Sequence, residues 1–382
     1  MKARLPKYVL APLAGFTDAP FRRLCFEGGA DLAYTEMVSA AGLAHGSSPT
    51  RHLMETMPGE GPVACQVFGA KETDLACTAR AVEAVRTRFV ELNLNAGCPM
   101  TKVTREGAGA KLVEDPARVY RLLTALRENT SLPVTLKTRL GPHPGQTNVF
   151  ELLDAAEQAG ARGFILHARY TSQLHGGPVH LETLAEVVRR AHVPVTGNGS
   201  VTDAKTAAAL AATGVSAIMI GRAALANPSI FRKLKGADGD EAVRPNPVEA
   251  HLAYLLAFRE QLAANFPKDH VPSVDGFVSV KMHTHLFRYF SGRPGAAALR
   301  ARLNAVRTLA DVRHVRDSLA SAGGGASRRD LCRPPSGGRN MRRTHFSCGC
   351  RVCYNMRRLT NHFASATEGR TWTRNSTSTR RS

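Results

Sequence analysis

Short apolar, β-branched runs alternate with amphipathic stretches from the start of the chain to about residue 235, and this alternation restricts the fold more than any other feature. The runs occupy 8–13, 32–37, 62–68, 89–95, 134–139, 163–168, 193–197 and 217–221. Between them, apolar residues recur at three- and four-residue spacing over 73–87, 115–129, 148–160, 181–191 and 204–213, several of these stretches closing on glycine. Eight strands alternating with helices in about 230 residues is the arithmetic of an α/β (β/α)8 TIM barrel, with a doubly wound open sheet as competitor.

The polar residues separate the two. A barrel gathers the C-terminal ends of all its strands round one mouth. Taken in order, those ends carry Pro12 with Ala14, Glu36, Gln66, Asn95 with Cys98, Lys137 with Arg139, His167 with Arg169, Asn198 with Gly199, and Gly221 with Arg222. Any one of these is an ordinary loop residue. Eight in succession describe a mouth able to hydrogen-bond a ligand. After the seventh strand comes TGNGSVTDA and after the eighth IGRAALANP. Each is a glycine-containing turn opening a helix, so backbone N–H groups and Arg222 can converge on a phosphate. Lys137 then lies halfway round the barrel, either near the other end of a phosphate-bearing cofactor or as an ion-pair partner of Glu36.

The stretch 90–104, VELNLNAGCPMTKVT, carries a thiol on a loop directly past a strand end. A free cysteine alone usually reads as a small buried hydrophobe. Here Asn95 and Lys102 bracket Cys98 with groups suited to a polar heterocycle and an anion.

Together LAPLAGFTDAPFR, VACQVFG, LNLNAGCPMTKV, VTLKTRLG, ILHARYT, VTGNGSVTD and AIMIGRAALANPSIF resemble, in order and spacing, the motifs of the tRNA-dihydrouridine synthases, over about residues 8–235. The resemblance implies an FMN-binding barrel that reduces the C5–C6 bond of particular uridines in tRNA at the expense of NADPH. It implies that Pro12, Leu13 and Ala14 line the flavin ring, Gln66 bonds its polar edge, Lys137 sits at its pyrimidine end, and His167 contacts the ring or ribityl region. Asn198, Gly199, Ser200, Gly221 and Arg222 would hold the phosphate. Cys98 would be the general acid, with Asn95, Lys102, Arg139 and Arg169 facing the substrate nucleotide and its backbone. Such an acid must remain a thiol, so this cysteine should not be strongly acidified. The same residues leave two alternatives to be tested: a flavin barrel acting on a small pyrimidine-like molecule, and a flavin-free RNA-binding barrel.

Beyond the barrel (1–236), the Gly-, Asp- and Pro-rich segment 237–246 reads as a linker, and 247–320 as a small helical domain with helices near 247–265, 274–291 and 295–320. By resemblance this domain binds tRNA. Lys281, His285 and Arg288 in KMHTHLFRYF are its candidate RNA contacts or, equally, a solvated helix face. The formal charge of +20 is uneven: 321–382 has 13 Arg, no Lys and two acids, a net +11, leaving +9 for the rest. A basic folded part points to a polyanionic partner. The tail, rich in Ser, Thr, Gly and Arg, is expected to be disordered. Its ending also fits an extended reading frame. Its Cys348, Cys350 and Cys353 lack a second half-site, so no metal is expected. Cys25, Cys65, Cys77, Cys98 and Cys332 lack paired spacing, which suits a reducing compartment. With no apolar stretch of membrane-spanning length, the expected location is the cytoplasm.

Overall fold

The computed structural model describes residues 7–237, 247–290 and 302–322. Its strands are β1 (Lys7–Leu10), β2 (Leu32–Tyr34), β3 (Val38–Ser39), β4 (Val63–Phe68), β5 (Glu91–Ala96), β6 (Val134–Arg139), β7 (Phe164–His167), β8 (Val195–Asn198) and β9 (Ala217–Ile220). All pairings in the sheet are parallel, β1 pairs with both β2 and β9, and a β2–β4 pairing closes the ring. Closure excludes the open sheet. The barrel has eight staves because β2 and β3 are two pieces of one. Both pair with β4, at Ala33↔Val63 and at Val38↔Val67. In the gap the Thr35 hydroxyl accepts the Gln66 N–H (3.0 Å), so a side chain takes over a ladder bond and Glu36 and Met37 are left outside the ladder at the mouth.

The strands are apolar on both faces because helices cover the outside. Local signals start those helices. Asp115 accepts the Arg118 N–H (2.9 Å) and is followed by Pro116, opening the helix Pro116–Arg127, and Asp203 with Thr206 forms a capping box on Ala204–Ala211. One core fills the space between strands and helices, and a smaller one, with Val9, Ala11, Tyr34, Ala64, Ile165 and Met219, fills part of the barrel interior. The interior beside β5 is instead polar, holding Gln66, Asn93, Asn95 and Thr135.

The helices Pro247–Asn265, Val274–Tyr289 and Leu309–Ala322 share a core that takes in Ala19 and Met57 of the barrel half, and barrel and helices belong to one compact unit. This packing reassigns two expected surface residues. Lys281 bridges Glu36 (3.1 Å) and Asp18 (3.3 Å), and His285 is fully buried, with its ring 4.7 Å from that of Phe21. Neither lies on a solvated helix face. Burial opposes the Lys281 charge, but Glu36 and Asp18 outweigh it and hold the ammonium above its ordinary range. Arg288 remains exposed, its guanidinium 5.9 Å from the Phe16 ring. The expected linker, apart from Ala237, and almost all of the arginine-rich tail lie outside the described residues. Among the described residues no helix is long and apolar enough to cross a membrane.

Candidate active site

Strand register decides which side chains meet at the mouth. Asn95 pairs with Lys137, Arg139 with His167, and His167 with Asn198. The two-residue period of a strand puts Lys137 and Arg139 on the same face as Thr135, which bonds inside the barrel. Cys98 lies two residues beyond β5, on a loop held from several sides. The Asn95 side-chain oxygen accepts the N–H groups of Gly97 (3.1 Å) and Cys98 (3.0 Å), Arg139 Nε donates to the Gly97 carbonyl (2.7 Å), and Ala110 N–H donates to the Cys98 carbonyl (2.8 Å). Gly109 permits this last approach: at φ +59° a Cβ would stand 2.7 Å from the Cys98 oxygen. Burial pushes the Cys98 thiol up, against the opposing pull of the Met100 N–H, Lys137 and Arg139. It is therefore undissociated at neutral pH, a state that suits donating a proton better than nucleophilic attack.

The mouth gathers cations that no acid pairs. Among the described residues Lys137, Arg139, Arg169 and Arg222 form no ion pair, and Glu36 is engaged by Lys281, not Lys137. Burial and then Arg139 pull the Lys137 ammonium down to about 7, with Cys98 acting the other way. His167 is held far below its usual range by burial and by Arg139, Lys137 and Arg169, so it is a neutral imidazole. Its ring stacks on that of His175, at 6.1 Å and 23°. Burial followed by Arg139, Arg222, Lys137 and Arg169 lowers His175 to about 4. Sequence reading missed His175; the only available signal was the HGG turn after β7, which lies outside any strand end.

Several expected ligand contacts are already employed by the protein. Arg139 is 2 % exposed and donates to the carbonyls of Gly97, Tyr170 and Leu174. Arg169 is 3 % exposed and donates to the Gly176 and Gly177 carbonyls and to the Ser200 hydroxyl (2.7 Å). Both brace loops beneath the mouth, because their forked donors match clustered carbonyls. Asn95 spends both amide hydrogens, on Gln66 and on Met37 sulfur. Gln66 is fully buried between Asn93 and Asn95. The hydrogen bonds of these two amides are made within the protein. Lys102 is exposed on the short helix Thr101–Arg105, just beyond Cys98.

The expected phosphate end is assembled from β8 and β9. Asn198 donates to the Met219 carbonyl (2.8 Å), Ser200 takes a left-handed φ of +51°, and Gly221 precedes the turn of helix Arg222–Ala226. A Cβ at Gly221 would make ordinary contacts with Ala11 and Leu13, both at 3.7 Å, beside the partly exposed Pro12, Leu13 and Ala14. The helix Ala204–Ala211 differs from the expectation: Asp203 caps its N-terminus, so that end offers an anion nothing. Among the described residues no cluster of His, Cys, Asp or Glu could hold a metal; the expected metal-free CGCRVC lies outside them.

The dihydrouridine synthase (Dus) family model matches residues 9–322. The chain is 35 % identical to tRNA-dihydrouridine synthase B of Klebsiella pneumoniae and to that of Escherichia coli (strain K12), in both cases over 258 residues, 67 % of this chain and 80 % of the relative. To tRNA-dihydrouridine synthase B of Pseudomonas putida it is 33 % identical over 310 residues, 78 % of this chain and 86 % of the relative. Among solved structures, morphinone reductase in complex with tetrahydroNAD is similar with a TM-score of 0.44 and 14 % identity, across 64 % of this chain and 90 % of that one. With 314 of its residues spanned by the family model and a protonated thiol at the mouth of a closed barrel, the chain belongs to the dihydrouridine synthase family of oxidoreductases.

Proposed function

We propose that the protein is a tRNA-dihydrouridine synthase that uses FMN and NADPH. The observation that carries this reading is the Cys98 thiol held on its loop by Asn95 and Arg139, raised in pKa by burial, beside the cations of the mouth. A flavin fits the residues present: Lys137 is a half-buried ammonium with no acceptor among the described residues, and the backbone at Gly221 carries no side chain. Asn198, Gly199, Ser200, Gly221 and Arg222 would hold the phosphate, Pro12, Leu13 and Ala14 the ring, and Lys137 and His167 its polar edge. Bound there, the reduced flavin supplies the hydride that uracil C6 receives.

The chain's own part is acid catalysis and positioning. Cys98 gives its proton to uracil C5 and recovers one from water. Its raised pKa keeps that proton in place until the reaction needs it. Lys137 and Arg139 limit how far the pKa rises, so the thiolate left behind is stabilised by adjacent positive charge. The uridine must leave its stack to reach a thiol within a barrel mouth. Arg288 and Lys102 are exposed cations placed to meet the RNA backbone, and the helical region serves as the tRNA-binding domain.

Unmodified tRNA incubated with the protein, FMN and NADPH should yield nucleosides with a two-hydrogen mass gain on uridine. A yellow protein that oxidises NADPH without that gain would shift the reading to a small pyrimidine substrate. A colourless preparation that binds tRNA would favour a flavin-free scaffold.

A further inference from the structure

Five side chains, Asn95, Gln66, Asn93, Thr135 and Glu91, run from the Cys98 loop to the far end of the barrel as one chain of hydrogen bonds, all pointing the same way. The N–H groups of Gly97 and Cys98 can only donate, so the Asn95 oxygen must face them. Its amide nitrogen then donates to Gln66 (2.8 Å), Gln66 donates to Asn93 (2.8 Å), Asn93 to the Thr135 hydroxyl (2.7 Å), and Thr135 to the Glu91 carboxylate (2.5 Å). Tyr34 donates to the same carboxylate oxygen (2.8 Å). Glu91, Asn93 and Asn95 alternate along β5, so a single strand face carries three links. Gln66 and Thr135 complete it from the flanking strands.

We propose that Glu91, the terminal acceptor of this chain at the opposite end of the barrel from the mouth, is a positioning residue for Cys98. Each amide in the path has two orientations that fill the same space. Both ends select one: the Gly97 and Cys98 N–H groups can only donate, and Glu91 accepts without needing a further acceptor. An end residue unable to accept strands the Thr135 and Tyr34 hydroxyls. That loss weakens the Asn93 link and, through Gln66 and Asn95, the hold on the Cys98 loop, without reversing the amides, because reversal would strand the Gly97 and Cys98 N–H groups. Hydrogen bonds in such series polarise one another, so the effect carries along the chain. The loop would then loosen and the thiol gain water.

The significance for catalysis rests on the role proposed above for Cys98, so the test reads the thiol directly. Alkylation of the full-length protein by iodoacetamide from pH 7 to 10, quantified by mass spectrometry on the Cys98 peptide, is compared for wild type, Glu91→Gln and Glu91→Met. Gln and Met fill similar volumes, but only Gln accepts a hydrogen bond. Glu91→Gln should track the wild type, and Glu91→Met should react about three- to tenfold faster at pH 8, the scale of one lost buried hydrogen bond, with its profile moved to lower pH. Gln and Met variants that behave alike, whether both normal or both altered, overturn the proposal, as does slower alkylation in the Met variant. Should Glu91→Met fail to fold, Thr135→Val against Thr135→Ser interrupts or preserves the adjacent link and poses the same contrast. Absence of dihydrouridine formation by the wild type would remove the catalytic reading while leaving this comparison intact.

Discussion

The Lys137 ammonium carries an electrostatic cost that a ligand would relieve. Lowered to about 7 against an ordinary value near 10.5, it gives up on folding a proton that the unfolded chain keeps. The stability of the ligand-free protein should therefore rise with pH between about 7 and 10, and the full cost should be present below that window. Lys137→Met should raise ligand-free stability at pH 7 by about 1–3 kcal/mol, with a smaller gain at pH 9, while flavin binding weakens. Thermal denaturation at the two pH values and flavin content after reconstitution check this; unchanged flavin content would contradict the role. At Cys98 the expectation is different in kind. Cys98→Ala should lower dihydrouridine formation at least about 100-fold, the usual scale of a lost general acid, with tRNA affinity retained. Undiminished turnover would remove Cys98 as the proton donor.

Elements decide how single residues are used. Lys281 shows this: on the sequence of its helix it reads as a solvent-facing cation, yet the helix Val274–Tyr289 lies against the start of Ala19–Glu27 and places the ammonium between Asp18 and Glu36. Lys281→Met should destabilise the protein by about 3–5 kcal/mol at pH 7, because two nearly buried carboxylates lose their counter-charge. Urea titration at pH 7 measures it. No loss of stability would mean that water replaces the pair. Asp115, Pro116 and the apolar spacing after them announce their helix locally. The break between β2 and β3 is announced by nothing local, since Thr35 acts only when Gln66 of another stave is beside it.

At the scale of the molecule, the proposed tRNA-binding role of the helical region makes its charge and seating measurable in binding. If about six phosphates are neutralised, raising salt from 50 to 200 mM should weaken tRNA binding on the order of a thousandfold, by counterion release. Arg288→Ala should flatten that salt dependence by about one unit in the log–log slope, and Lys281→Met should not, because Lys281 is spent on the barrel. Filter binding across a salt series separates them, and equal slopes for Arg288→Ala and wild type would take Arg288 off the RNA surface.

By itself, the sequence determined the alternation of strands and helices, the order of the polar strand ends, and the thiol on its GCP loop, because strand period, helix caps and glycine turns are local properties of the chain. Only the tertiary structure decided which of those polar ends are engaged within the protein. Arg139, Arg169, Asn95 and Gln66 look like ligand contacts in one dimension, but closing the barrel brings carbonyls and amides from other staves within 3 Å and consumes their hydrogen bonds. The His175 ring likewise reaches His167 only through the fold of the loop after β7. The one-way path from Cys98 to Glu91 crosses three staves, and no spacing along a single chain can specify a donor in one strand and its acceptor in the next.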